Sequence, residues 1–196
     1  MFTFVVMHLV QAQDQQGFIS LDCGLEPNKS PYLEPTTKLN FSSDDNFIQG
    51  GKRGRIANEW WYDYKQYNAL RYFPEGTRHC YNLSVKQGIN YLIRAGFAYG
   101  NYDGKNTYPR FDIHIGPNLW ATVSFEYDDQ QEFEIIHMAK SNSLQICLVQ
   151  TGTTTPFIST LELRPLRSDA YSTQSGSLQL VSREFYKEAG SSIRYV

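Results

Sequence analysis

Apolar residues recur at every second position of this chain, in short runs broken by polar or glycine-containing turns about every ten residues. Tyr91, Ile93, Ala95, Phe97 and Tyr99 share one face of a strand. Phe111, Ile113 and Ile115 alternate with Asp112 and His114, and Gly116-Pro-Asn118 turns the chain. Ala121, Val123, Phe125 and Tyr127 line the next strand, and Asp128-Asp-Gln-Gln131 turns it again. Phe133 and Ile135, then Leu144, Ile146 and Leu148, then Phe157, Ser159, Leu161 and Leu163 continue the pattern. Side chains alternate across a strand with a period of two, so this spacing predicts half-buried strands. No stretch of useful length carries the helical period. The chain is therefore read as all-β, an antiparallel sandwich or jelly roll whose two sheets share one core.

The 196 residues are enough for one domain, or one domain and part of a second. A domain of this size can bury a sizeable core without depending on disulfides. Tyr and Phe are abundant, at 14 and 12 residues, and both favour strands. They also supply flat amphipathic surfaces for sugar rings or protein partners. The net charge of -2 argues against a nucleic-acid partner, which needs a basic excess. The local basic cluster Lys52, Arg53 and Arg55 reads as a solvated loop.

The first twelve residues form an apolar run ending in Val10-Gln-Ala12. That small-residue pattern suits a signal-peptide cleavage site. Either residues 1–12 are the end of a signal peptide or they form a buried first strand; the cleavage pattern favours the first. No other run approaches the roughly 18 apolar residues of a membrane-spanning helix. Asn28, Asn40 and Asn82 each begin an Asn-x-Ser sequon, so all three are candidate glycosylation sites. These features together predict a secreted protein, or one on the extracellular face of the plasma membrane. Cys23, Cys80 and Cys147 form an odd set whose pairing spacing leaves open.

Residues 25 to 66 are rich in Pro, Ser, Asn, Asp and Gly and read as long surface loops with short strands. They contain an aromatic and acidic cluster, Asn58-Glu-Trp-Trp-Tyr-Asp-Tyr64. Near the other end, Ser168 to Gly176 reads as a linker and Ser177 to Val181 as one more strand.

Catalytic groups are sparse. Glu132 and Glu134 share a strand face, but the carboxyl pair of a glycosidase normally comes from different strands flanking a cleft. They are read as part of a solvated sheet face. His114 sits on the polar face of its strand, and His79 and Cys80, being adjacent, point to opposite faces. No metal-ligand spacing, phosphate loop or dinucleotide fingerprint is present, so no enzyme activity, metal or cofactor is expected. Recognition fits better. Tyr99-Gly-Asn-Tyr-Asp-Gly104 places two Tyr, one Asn and one Asp at a strand end, where loops collect ligands. Aromatic faces stack on sugar rings while Asn and Asp carry hydroxyls, so Tyr99, Asn101, Tyr102 and Asp103 are candidate ligand-binding residues.

Several segments resemble the malectin-like domain of plant leucine-rich-repeat receptor-like kinases. They include Gly17-Phe-Ile-Ser-Leu-Asp-Cys-Gly24, Leu70-Arg-Tyr-Phe-Pro-Glu-Gly76, Cys80-Tyr-Asn-Leu83 and Tyr91-Leu-Ile-Arg-Ala95. They continue through Tyr99 to Gly104, Phe111-Asp-Ile113 and Cys147-Leu-Val149 to Thr155-Pro-Phe-Ile-Ser-Thr-Leu-Glu-Leu-Arg-Pro-Leu166. The resemblance implies a malectin-type antiparallel β-sandwich, of the jelly-roll or galactose-binding-like kind. It implies a first lobe over 17–167, and a linker and truncated start of a second lobe over 168–196. It implies a non-catalytic extracellular recognition role, with cell-wall carbohydrate or an extracellular peptide or protein as partner. Full-length relatives are membrane-anchored. In animal malectin, adjacent aromatics at the matching strand end bind a disaccharide. Here Gly100 follows Tyr99, and Tyr72 matches another aromatic of that platform, which adds it to the candidates. Two alternatives stand beside this reading. One is a jelly-roll glycosidase; the other is a non-functional truncated receptor product, with an unpaired strand near Leu178.

Overall fold

The computed structural model describes residues 15–57, 64–127, 129–167, 170–171 and 176–181. The expected signal segment 1–12, most of the Asn58 to Tyr64 cluster, Asp128, most of the 168–176 linker and the final residues lie outside the described residues.

Fourteen strands are present among the described residues. In chain order they are β1 Ile19–Asp22, β2 Tyr32–Leu33, β3 Asn40–Ser43, β4 Lys52–Arg55 and β5 Ala69–Tyr72. There follow β6 Arg78–Ser84, β7 Asn90–Ala98, β8 Arg110–Ile115, β9 Asn118–Ser124 and β10 Gln130–Met138. The last are β11 Ser143–Val149, β12 Phe157–Ile158, β13 Thr160–Pro165 and β14 Ser177–Gln179. The described helical pieces are 3-10 turns, including Pro27–Lys29 and Lys65–Tyr67.

A seven-stranded sheet runs β14-β10-β7-β13-β1-β3-β2, and a four-stranded sheet runs β6-β11-β8-β9. A small third sheet, β12-β5-β4, carries the Tyr72 segment. Pairing is antiparallel except between β1 and β3. The alternating residues anticipated as core are core. Tyr91, Ile93, Ala95 and Phe97 of β7 and Leu161 and Leu163 of β13 share one apolar cluster with Tyr81, Phe111, Ile113, Ile146 and Leu148 of the four-stranded sheet. This is an all-β sandwich.

Four readings change. The basic cluster Lys52, Arg53 and Arg55 is strand β4, paired with β5, rather than a loop. The single strand expected over residues 157–163 divides at Ser159, where the chain leaves the small sheet and enters the large one. Ser159 makes this step by donating its N–H to Gly96 O and accepting at Oγ from Ala98 N–H. A β-bulge on β9 shifts the register between Ile113–Ala121 and His114–Leu119. It turns Trp120 inward and leaves Leu119 exposed; Tyr127 lies beyond the strand and is exposed. Finally, Leu178 is not unpaired. It faces Ile136 in the β14–β10 register, at the edge of the large sheet.

The cysteines resolve as a Cys80–Cys147 disulfide between register partners of β6 and β11, with Cys23 buried as a thiol. Burial pushes the Cys23 thiol up, so it packs as a neutral group beside Tyr81.

The outer face of the large sheet does not alternate into solvent. Ser20, Asp22, Thr160, Glu162 and Arg164 are all buried there. The Lys65–Tyr67 turn packs against β1 and β7 and so crosses over β13 between them. Gly96 makes this possible: a Cβ there would sit 2.4 Å from Tyr67 Oη and 2.5 Å from Thr160 Cγ2.

Candidate functional site

The loop after β7 builds the end of the core on which the candidate residues sit. Gly100 and Asn101 both take positive φ, at 47° and 46°, and turn the chain sharply. Gly100 is required: a Cβ would come 2.4 Å from Ile56 Cβ. Its carbonyl accepts from Ala57 N–H at 2.8 Å, which ties the loop to the segment after β4.

Tyr99 is only 1% exposed, so its ring is a core element rather than a stacking surface. Its hydroxyl donates to Asp103 Oδ1 at 2.7 Å and lies 3.3 Å from Asn101 Oδ1. It accepts from Thr107 N–H at 3.4 Å. The two polar candidates are turned to the same task. Asn101 Oδ1 accepts from Asn106 N–H at 2.9 Å, and Asp103 Oδ1 from Lys105 N–H at 3.2 Å. Their oxygens hold the loop closed around the buried hydroxyl. We expect Tyr99→Phe to cost about 1 kcal/mol of stability, the net worth of one such hydrogen bond. Thermal denaturation should show this as a fall in Tm of about 3 °C, with the fold retained.

Tyr72 and Tyr102 are placed differently. Both are half-buried, and their ring centroids lie 5.0 Å apart at an interplanar angle of 42°. Phe157 packs behind Tyr102 at 5.6 Å and is itself fully buried. Among the described residues neither tyrosine hydroxyl has a hydrogen-bond partner, and burial raises the Tyr102 phenol above its ordinary range. Gly54 of β4 makes room for the pair. A Cβ there would meet Tyr102 Cδ2 at 3.3 Å and Tyr72 Cδ1 at 3.4 Å. Sequence reasoning missed Gly54 and Phe157. The available signals were a glycine inside a basic run and a phenylalanine that follows Pro156 at the start of a strand.

The structure thus brings Tyr72 and Tyr102 together at the surface. It puts Tyr99, Asn101 and Asp103 into their support. Glu132 and Glu134, expected on a solvated face, are held by charge instead. Arg94 Nη2 pairs with Glu134 and Arg94 Nη1 lies 3.5 Å from Glu132, while Tyr67 Oη donates to Glu132 Oε1. The Arg94 guanidinium between the two carboxylates holds both side chains in place. The sequon residues Asn28, Asn40 and Asn82 all have exposed side chains. Asn82 Oδ1 accepts from Gln145 Nε2 at 2.8 Å on the outer face of the four-stranded sheet.

Comparison with known proteins bears on the whole chain. The family model described as the malectin-like domain matches residues 21–196. The chain is similar to a probable LRR receptor-like serine/threonine-protein kinase of Arabidopsis thaliana, At2g28960, at 60% identity over 97% of this chain and 22% of that kinase. It is 57% identical to the Arabidopsis thaliana receptor-like protein kinase At5g59670, over 100% of this chain and 23% of that protein. The chain therefore spans about a fifth of the length of these relatives. Among solved structures it is similar to the plant receptor-like kinase FER, with a TM-score of 0.67 at 20% identity, covering 80% of this chain and 44% of that one. A chain in the crystal structure of plant peptide RALF23 in complex with FER and LLG2 matches with a TM-score of 0.62 at 17% identity, over 80% of this chain and 41% of that one. The structural likenesses carry the fold; the family model and the kinase relatives carry the membership. This chain belongs to the malectin-like family, and it matches the malectin-like portion of leucine-rich-repeat receptor-like kinases.

Proposed function

We propose that this chain is a non-catalytic extracellular recognition domain that binds a peptide or protein partner through the Tyr72–Tyr102 pair. One observation carries the reading: two half-exposed tyrosines, backed by Phe157, whose hydroxyls have no hydrogen-bond partner among the described residues. Tyrosines offer large contact area at low entropic cost and a polar tip for a partner's backbone. The extracellular placement draws on the apolar N-terminal segment, the exposed sequons and the cross-strand disulfide, which suits an oxidising compartment. The crystal structure of plant peptide RALF23 in complex with FER and LLG2 lends support from a similar fold.

Cell-wall carbohydrate is the second reading, and the aromatic pair favours it too. The polar side chains weigh against it. Asn101 Oδ1 and Asp103 Oδ1 are spent on the loop's own amides and the Tyr99 hydroxyl, leaving fewer acceptors for sugar hydroxyls. The 42° tilt also makes a ridge rather than a flat stacking face. The test uses the secreted domain on a plant cell-wall glycan array, and calorimetry against a panel of extracellular plant peptides. We expect peptide binding that weakens about tenfold in Tyr72→Ala and in Tyr102→Ala, which is about 1.4 kcal/mol each. Glycan binding lost in the same variants would transfer the site to carbohydrate. Ligand binding untouched by either variant would remove the site.

A further inference from the structure

The loop that carries Tyr102 presents one more ring. Tyr108, at the far end of that loop and just before β8, is 41% exposed. Its ring centroid lies 6.0 Å from that of the buried Tyr99, at an interplanar angle of 73°. Tyr102 meets the same buried ring at 5.7 Å and 83°. Both are edge-to-face contacts, a favoured arrangement for aromatic pairs at this distance. Because one ring touches both, the Tyr102 and Tyr108 centroids are no more than about 12 Å apart.

The chain between the two rings is held from within. The Tyr102 and Gly104 N–H groups donate to Tyr99 O and Asn101 O. Those of Lys105 and Asn106 donate to Asp103 Oδ1 and Asn101 Oδ1, and that of Thr107 to the Tyr99 hydroxyl. The Thr107 hydroxyl donates to Lys105 O at 3.2 Å. Asn106, at a φ of 50°, turns the chain back toward Tyr99. A loop that bound its ligand through main-chain amides would leave them open. This one spends five of them on fixing the chain that joins the rings. What it offers a partner is aromatic area already in place, so less loop freedom is lost on binding.

We propose that Tyr108 is a second contact point of the recognition surface, and that the partner presents an extended peptide segment with two apolar or aromatic side chains, one seated on the Tyr72–Tyr102 pair and the other on Tyr108. The proposal rests on that pair being the recognition site. The span sets the spacing of the anchors. An extended chain advances about 3.3 Å per residue, so anchors that reach across at most about 12 Å are no more than about four positions apart. Side chains two or four positions apart also share one face of an extended segment, so both can meet the surface at once.

A library of linear twelve-residue peptides, selected for binding to the full secreted chain, supplies the probe. The tightest selected peptide is then synthesised and titrated calorimetrically. We expect it to carry two apolar or aromatic residues two to four positions apart. Tyr108→Ala should weaken it about fivefold, and Tyr108→Phe, which keeps the ring, less than twofold. Replacing one anchor of the peptide by alanine should cost about the same fivefold against the wild type and nothing further against Tyr108→Ala, the mark of a direct contact. The other anchor should show this coupling with Tyr102→Ala instead. Wild-type affinity in Tyr108→Ala, with Tyr72→Ala and Tyr102→Ala still weakened, would overturn the second contact and leave the pair standing. Loss in Tyr108→Ala alone would remove the pair, and the two-anchor arrangement with it. Failure to select any peptide, or selected peptides with a single anchor, would also overturn the proposal. Should Tyr108→Ala not melt cooperatively, the Tyr108 ring protons of the wild type decide: a shift on adding the peptide supports the contact, and none rejects it.

Discussion

Replacing Asp44 by alanine should cost the domain about 3–5 kcal/mol, the range expected when one partner of a buried ion pair is removed. Asp44 is fully buried between β3 and β4, and its two oxygens take four hydrogen bonds. Arg71 on β5 donates from Nε at 2.6 Å and from Nη2 at 2.7 Å, in a two-pronged grip. Tyr81 on β6 donates its hydroxyl at 2.7 Å, and Gly24 after β1 its N–H at 3.0 Å. One carboxylate therefore joins all three sheets. Without it the Tyr81 hydroxyl and the Gly24 amide lose their partner together, and the buried Arg71 guanidinium keeps only Asp45 and the Gly50 carbonyl. Urea unfolding should show a lower midpoint with little change in slope. Asp45, whose side chain is 31% exposed and also contacts Arg71, is the internal control: Asp45→Ala should cost about 1 kcal/mol or less. Pairing Asp44→Leu with Arg71→Met should restore part of the loss, because the under-compensated buried charge is then gone while the Tyr81 hydroxyl and the Gly24 amide still lack their acceptor. A loss in Asp44→Ala no greater than in Asp45→Ala would show that the hub is not what holds the sheets.

The Cys80–Cys147 disulfide carries the other large expectation. The two residues are 67 apart in sequence yet directly opposed across β6 and β11. Closing a loop of that length restricts the unfolded chain by about 4 kcal/mol in the chain-entropy account. The folded state has less to lose, because seven register pairs continue to join the strands, from Ser143–Ser84 to Val149–Arg78. The double substitution Cys80→Ala with Cys147→Ala should therefore fold, with stability lower by about 4 kcal/mol. Reducing agent should lower the wild type to the same level and leave the double variant unchanged. A reductant effect persisting in the double variant would contradict this pairing.

Much of the sandwich was legible because period-two alternation is a local property. Tyr91 to Phe97 and Phe111 to Ile115 reach the core as their spacing required. What escaped depends on neighbours remote in sequence. Glu132 and Glu134 read as solvent-facing because their strand alternates, but the Lys65–Tyr67 turn lies across that face and Tyr67 reaches Glu132. Nothing in the strand sequence announces a cover 65 residues upstream, the separation of Tyr67 from Glu132. The bulge at Trp120 escaped because one extra residue reverses the inward face without changing composition. Three cysteines allow three pairings, and only the β6–β11 register selects one.

The candidate site divided along similar lines. That Tyr99, Asn101 and Asp103 cluster was legible, but their task was not. Acceptors two and four residues after a tyrosine, around a residue with positive φ, describe a loop pinned on its own hydroxyl as readily as a ligand cradle. Burial separates the two, and it places Tyr99 inside. Tyr72 and Tyr102 are about thirty residues apart in sequence, and Gly54 and Phe157 are what bring them together.

The central claim is that recognition runs through the Tyr72–Tyr102 pair while Tyr99 supports it from within. Calorimetric titration of the secreted domain with a peptide selected from the extracellular panel tests this, comparing wild type, Tyr72→Ala, Tyr102→Ala and Tyr99→Phe. The account predicts affinity about tenfold weaker in the two alanine variants, both still folded, and within about threefold of wild type in Tyr99→Phe. Wild-type affinity in both alanine variants, or no binding by the wild type to any peptide or glycan, would contradict it.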